Sequence, residues 1–524
     1  MKTRNILLGV VCAGVLSLNS CDKFLEEDPR SNQRLDSFYQ NAAQAQENVN
    51  ALYRMGAPVR YGVAASAYIG PSASVPPMLT GYFTNSYEGQ ELIAQYSRLL
   101  SRQGNTRIVS NTMNGIWNES YQAINIANGA INYIPEIEMD EALSSRLIGE
   151  AKFFRAFNYF YLVKMFGAIP LSTTMYSSLE DDLYLPRTAE EQVYELIEAD
   201  LKEAVDVLPS SMFVQGGYRL TRYVAAMALA NVYLQQGKYK DAADAVQIVI
   251  DSPHELTPNE DLGMNSAYNK LRTSDDLPEV IYSYEFDETI SHGGWWPTYA
   301  FSSSAVSVFG TYAIFERVYG PTNRFLNVYD EQDLRIQPNQ FYHWEYTNPN
   351  NGQKWSSDVA GVWYYFDEAA LLTSGRSTKD RNLYRYAEAL LIAAEANARS
   401  IGVNNVTAGY LAQIKARADI NGKTVAEYTS ELEGMGVDAF VEEVWKERLR
   451  ELPLEFKMWD DCLRTQQFPN ISASEKGHVT FQPLVGATNA AGATFKESDL
   501  LWPISMDELQ RNPELTQNPD YQEQ

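Results

Sequence analysis

Cysteine is nearly absent from this chain: three occur in 524 residues, Cys12, Cys21 and Cys462. So few thiols exclude a disulfide framework and any paired CxxC metal or redox site. Histidine is almost as scarce, and His254, His292, His343 and His478 show no metal-ligand spacing and no HExxH. Positive charge is also short. Forty-two Lys and Arg face 67 Asp and Glu, a net charge of −25. Binding to nucleic acid draws on cations that displace counterions, so nucleic acid is not an expected partner. Direct adhesion to anionic lipid is disfavoured for the same reason. No P-loop, GxSxG or EF-hand loop occurs. The segment from Gly434 to Ala439 fits GxGxxA only superficially, since no strand signal precedes it. Nothing singles out a carboxylate pair for glycoside hydrolysis. A non-catalytic protein without cofactor or metal is therefore expected. After the first twenty residues no run is long and apolar enough for a transmembrane helix.

What is present begins with 1-MKTRNILLGVVCAGVLSLNSC-21. Lys2 and Arg4 precede an apolar run from Ile6 to Leu18, too short to span a bilayer and suited to a signal peptide. Leu18-Asn19-Ser20-Cys21 resembles a bacterial lipobox, which implies cleavage before Cys21 and lipidation there. Several acyl chains anchor stably where one does not. The expected organisation is a signal peptide over 1–20, a lipidated tether over 21–35 and one domain over 36–524. Cys462 then has no partner.

Helical periodicity dominates 36–254 and 381–465. Asp36 is placed as N-cap of a helix over 37–54, and Thr188 with Glu191 as a capping box. Residues 221–253 carry Leu229, Ala230, Tyr233, Gly237, Tyr239 and Ala242 in the order of a tetratricopeptide (TPR) repeat. A helix pair over 438–465 is expected to bend at Pro453. Two regions break the pattern. Residues 56–90 are rich in Gly and Pro, and 255–380 hold loops with short strands at 279–286 and 362–366. Residues 466–524 read as coil.

Aromatic side chains are the remaining chemistry, with 34 Tyr, 21 Phe and 9 Trp. Most must be core. Trp295 and Trp296 lie between Gly293-Gly294 and Pro297, in a loop context where rings can face a ligand. Tyr82 and Phe83 in the early insertion are the second candidates. A sugar ring would stack its C–H face on such a platform while its hydroxyls find polar partners.

Five segments, in order, resemble the SusD/RagB family of outer-membrane lipoproteins. They are the start at Cys21-Asp-Lys-Phe-Leu-Glu, 155-RAFNYFYLVKMFGAIPL-171, 385-RYAEALLIAAEA-396, 447-ERLRELPLEFKMWDDCLRT-465 and 500-LLWPISMDELQRNPELTQNPDY-521. In the last, Ser505 and Asp520 replace the family's usual Pro and Gly. The resemblance implies a mainly α body of about four TPR-like helix pairs with an irregular, ligand-facing half. It implies a surface lipoprotein that captures oligosaccharides for a SusC-like TonB-dependent transporter. The alternative is a peptide-capturing lid or a TPR-type interaction scaffold. The shared motifs are scaffold, so no ligand-binding residue follows from them by position.

Overall fold

The computed structural model describes residues 39–55, 72–85, 114–178, 183–289, 293–309, 317–519 and 521. The signal peptide, Cys21, Asp36 and much of the 56–90 insertion lie outside the described residues. The first described helix, α1, runs Ala42–Met55. Asn41 caps it, accepting from the Gln44 N–H at 3.1 Å.

The principal helices that follow are α2 (Asn114–Tyr133), α3 (Glu141–Phe166), α4 (Glu190–Val207), α5 (Arg222–Gln235) and α6 (Tyr239–Ile250). After the loop-rich half come α7 (Tyr386–Ile401), α8 (Asn405–Ala418), α9 (Val425–Glu433), α10 (Val437–Glu451) and α11 (Met458–Thr465). Each helix from α2 to α8 packs on the next, and α10 packs back on α7. The α5–α6 turn shows why the repeat signal was legible. Gly237 sits at φ 69°. Its N–H reaches Leu234 O at 3.1 Å while Lys238 N–H reaches Tyr233 O at 2.9 Å, the paired bonds of a Schellman stop. Leu229, Ala230, Tyr233 and Ala242 are all buried in the seam.

Two local expectations are corrected. Thr188 does not cap α4. Its backbone exchanges hydrogen bonds with Ile169 at 2.8 and 3.2 Å, which holds it in an isolated β-bridge, and the N-cap position falls to Ala189. The 362–366 run is not a strand of its own. Val362 ends β5, and Trp363–Tyr365 turns as a 3₁₀ helix.

Among the described residues the strands form antiparallel pairs. β1 (Phe83–Thr84) pairs with β3 (Gly320–Pro321). β2 (Val280–Tyr284) pairs with β6 (Arg381–Arg385), and β4 (Tyr342–Thr347) with β5 (Lys354–Val362). The β1–β3 pair ties the early insertion to the loop-rich half. The tail expected as coil contains a hairpin, β7 (Gln467–Ile471) and β8 (Val479–Pro483), and a helix over Met506–Arg511. Ser505, the departure from the family pattern, caps that helix by accepting from the Glu508 N–H at 3.3 Å.

A large apolar core runs through both halves, and a smaller one around Phe301, Trp355 and Trp363 sits in the loop-rich half. Between the two halves lies a buried ionic square. Glu279 pairs with Arg385 at 2.6 Å and with Arg417 at 2.7 Å. Glu451 pairs with the same two arginines at 3.0 and 2.6 Å. Arg335 joins at 2.9 Å from Glu451, and Glu455 at 2.6 Å from Arg385. The Arg-Tyr-Ala-Glu and Glu-Arg…Glu-Leu segments are thus explained: they supply Arg385, Glu451 and Glu455. The closing segment is explained as a clasp. Asn518 donates to Phe166 O at 3.1 Å and to Trp502 O at 2.8 Å, fixing the tail to the end of α3.

Candidate functional site

The site sits where β2 leaves the core. The β2–β6 pair ends at Tyr284 opposite Arg381, and the chains beyond it diverge. One strand leads to Glu285, Asp287 and the Trp295 loop; the other side of the pair begins at Asp380. Gly293, at φ 71°, lies against Ser377 so closely that a Cβ would stand 2.6 Å from its carbonyl oxygen. Gly294 and Ser377 exchange two hydrogen bonds of 2.9 Å. Glycine is required there by both torsion and space.

This pinning separates the two tryptophans. A 3₁₀ turn starts at Trp296 with Pro297 in its first positions. With three residues per turn, adjacent side chains diverge by about 120°. Trp296 points inward and is 2% exposed. Its ring packs on Tyr365 at 4.8 Å and Phe456 at 6.0 Å, with the Arg381 guanidinium 4.7 Å from its centroid. Trp295 is only partly buried, and Arg376 stands 4.4 Å from its ring centroid. The expected two-ring platform is therefore corrected to a single, partly open ring.

Tyr82 and Phe83 are corrected as well. Both are fully buried. Gly81, at φ 68°, turns the chain inward so that these two residues enter the core at the β1–β3 pair. The Tyr82 hydroxyl donates to Pro469 O at 2.7 Å and accepts from Ile471 N–H at 3.1 Å. Phe83 stacks on Tyr319 at 4.4 Å. Neither ring offers a face to a ligand. Cys21 lies outside the described residues.

Beside the exit of β2 is a cleft of about 340 Å³, lined among others by Tyr53, Arg54, Tyr218, Tyr284, Glu285 and Asp287. Its size falls in the range of small-ligand pockets, roughly 300–1,000 Å³. Tyr218 is 40% exposed and holds φ 59°, a conformation bulky residues rarely adopt. The preceding Gly217, at φ 69°, begins this left-handed pair. The Tyr218 N–H donates to Phe213 O at 3.0 Å and its hydroxyl donates to Asp276 at 3.1 Å, so the ring is held in place over the opening. Such strain persists where surrounding structure enforces it, often at binding sites.

Electrostatics at the mouth are unusual. Burial, and then the nearby Asp380 carboxylate, push the Glu285 carboxyl up to about 9. Burial also raises Asp380, whose Oδ1 accepts from the Phe286 N–H at 2.8 Å. At neutral pH the Glu285–Asp380 pair then shares a proton, which lowers the negative charge at the mouth. Arg54 and Asp287 add exposed polar heads. Three phenol rings, Tyr53, Tyr218 and Tyr284, with flanking polar groups suit a neutral, hydroxyl-rich ligand. Among the described residues no group of three or more His, Cys, Asp or Glu could hold a metal. No helix among them is long and apolar enough to cross a membrane. Sequence reasoning missed Tyr218, Glu285 and Arg54. The one available signal was Gly216-Gly217 immediately before an aromatic residue.

A family model described as the SusD family matches residues 285–521. A second, described as starch-binding associating with outer membrane, matches residues 23–234. The SusD-like protein P2 of Formosa agariphila is 26% identical, with 97% of this chain and 98% of that protein aligned. A SusD superfamily protein from Parabacteroides distasonis has a similar structure, with TM-score 0.77 at 24% identity over 91% of this chain and 98% of that one. Surface glycan-binding protein A from Bacteroides thetaiotaomicron, solved in complex with laminarihexaose, is similar with TM-score 0.67 at 17% identity, covering 91% and 99%. With its helical array, its loop-rich half and both family models in register along the chain, this protein belongs to the SusD/RagB family.

Proposed function

We propose that this protein captures neutral oligosaccharides at the cell surface, without cleaving them, and passes them to a SusC-like TonB-dependent transporter while Cys21 anchors it in the outer membrane. The observation that carries the reading is the cleft at the exit of β2. There Tyr218 is held at positive φ in the same cleft as Glu285, whose carboxyl is raised by burial and by Asp380. Trp295 stands on the loop leading away from it. Support also comes from the likeness over nearly the whole chain to a surface glycan-binding protein solved with laminarihexaose. Delivery to a transporter and the lipid anchor rest on the family resemblance and on the Cys21 lipobox.

The test uses the soluble form with Cys21 replaced, run in native gels containing laminarin, starch or another neutral polysaccharide. Retardation without released reducing ends is expected. Tyr218→Ala should weaken binding by about 1–3 kcal/mol, the scale of ring stacking by analogy with bases on aromatic side chains. Released reducing ends, or no retardation by any neutral glycan, would sink the reading.

A further inference from the structure

A second cleft, of about 680 Å³, lies on the helical half and shares no lining residue with the first. Its floor is α2. Trp117, Tyr121 and Asn125 fall at i, i+4 and i+8, so one face of the helix presents them in a row. The Trp117 and Tyr121 rings are 5.0 Å apart.

The walls are fixed to this floor by buried or half-buried polar groups. Asn125 donates to Tyr176 O at 2.9 Å and accepts from Tyr176 N–H at 2.7 Å, which sets the Tyr176 backbone along the cleft. Tyr121 donates to Pro170 O at 2.8 Å. On the far side Asn512 donates to Leu185 O at 2.9 Å, tying the tail to the lip. The cleft is thus assembled from three chain segments that hold one another in place, a pre-formed site of the size small ligands occupy.

The lip is apolar yet open. Leu183 is 42% exposed and Tyr184 55% exposed. The charges at the mouth cancel, because Arg511 pairs with Glu508 at 2.8 Å. The Asn118 side chain, exposed on the rim, has no hydrogen-bond partner among the described residues. The open rings of Tyr176 and Tyr184, the exposed Asn118 amide and no net charge are the recognition chemistry of a neutral pyranose, whose C–H face stacks while its hydroxyls reach an amide.

We infer that this cleft is a second glycan-holding site, taking a short neutral segment of the same polysaccharide; the inference rests on the capture reading above. Two sites on separate elements of one chain would hold a long polysaccharide by effective concentration, although each alone is weak.

The experiment compares four forms of the soluble protein in gels containing laminarin or starch. These are the wild type, Tyr218→Ala, the pair Tyr176→Ala with Tyr184→Ala, and the triple variant that combines all three. Both rings of the pair are exposed or half-exposed, so melting should move little. The expected result is a dissociation constant for polysaccharide raised about tenfold or more in the pair, as avidity is lost. Tyr218→Ala should leave residual retardation, which the triple variant abolishes. Wild-type-like retardation of the tyrosine pair overturns the second site while leaving the first intact. A large melting loss with unchanged retardation overturns it too, by making the cleft a structural seat. If the wild type binds no neutral glycan, the capture reading fails and the second site falls with it.

Discussion

Arg385 and Glu451 meet at 3.0 Å inside the protein, the first at the end of β6 and the second at the end of α10. Each is also paired with two further residues of opposite sign, Arg385 with Glu279 and Glu455 and Glu451 with Arg417 and Arg335. The contact joins the loop-rich half, through the β2–β6 pair, to the last helices of the array. The position of the cleft at the exit of β2 therefore depends on it.

Arg385→Met should cost about 3–5 kcal/mol of stability, because Glu279, Glu451 and Glu455 would be left buried with too few counter-charges. Urea unfolding measures this directly. A loss below about 1 kcal/mol would show that the square is dispensable.

Gly237→Ala should cost about 1–2 kcal/mol through left-handed strain alone, since a Cβ there meets nothing within 4 Å. Gly237→Asn should be milder, because asparagine tolerates this conformation. Equal melting temperatures for glycine and alanine forms would contradict the Schellman turn.

Trp296→Ala should cost roughly 3–5 kcal/mol, as expected of a buried aromatic. Trp295→Ala should cost only about 1–2 kcal/mol, chiefly the contact with Arg376. Paired thermal melts give both values. Similar losses would mean that the two rings are buried alike.

The pH dependence follows from Glu285. Its carboxyl is raised from 4.5 to about 9 in the folded protein. The native state holds this proton more tightly than the unfolded chain does. Its contribution is complete below the unfolded value and is lost as pH rises towards the folded one. Glu285→Gln mimics the protonated side chain. Wild type and variant should be similarly stable near pH 5, and the variant should gain relative to wild type by about pH 9. Parallel urea titrations at the two pH values test this. A constant difference would show that Glu285 does not titrate in that window.

The sequence by itself determined the helical array. Apolar spacing, Gly237 and the order of the five segments are local signals, and local geometry obeys them: residues 221–253 fold as the helix–turn–helix they spell. Pro453 likewise ends α10 where expected. The caps were not legible: Asn41 rather than Asp36 caps α1, which begins only at Ala42. Thr188 was claimed by a backbone bridge to Ile169, a contact 19 residues away that no local pattern contains.

The site was decided by tertiary structure. Trp295 and Trp296 have the same loop context, yet one is partly open and the other is core, because a 3₁₀ turn splits their directions and Tyr365 and Phe456 arrive from distant segments to cover one ring. Tyr82 and Phe83 are buried by partners such as Pro469 and Tyr319, hundreds of residues along the chain. The exposure of Tyr218 and the raised Glu285 carboxyl have the same kind of origin. Periodicity records which face of an element is apolar, but burial of a loop ring depends on what else packs against it, and that is fixed only when the chain closes on itself.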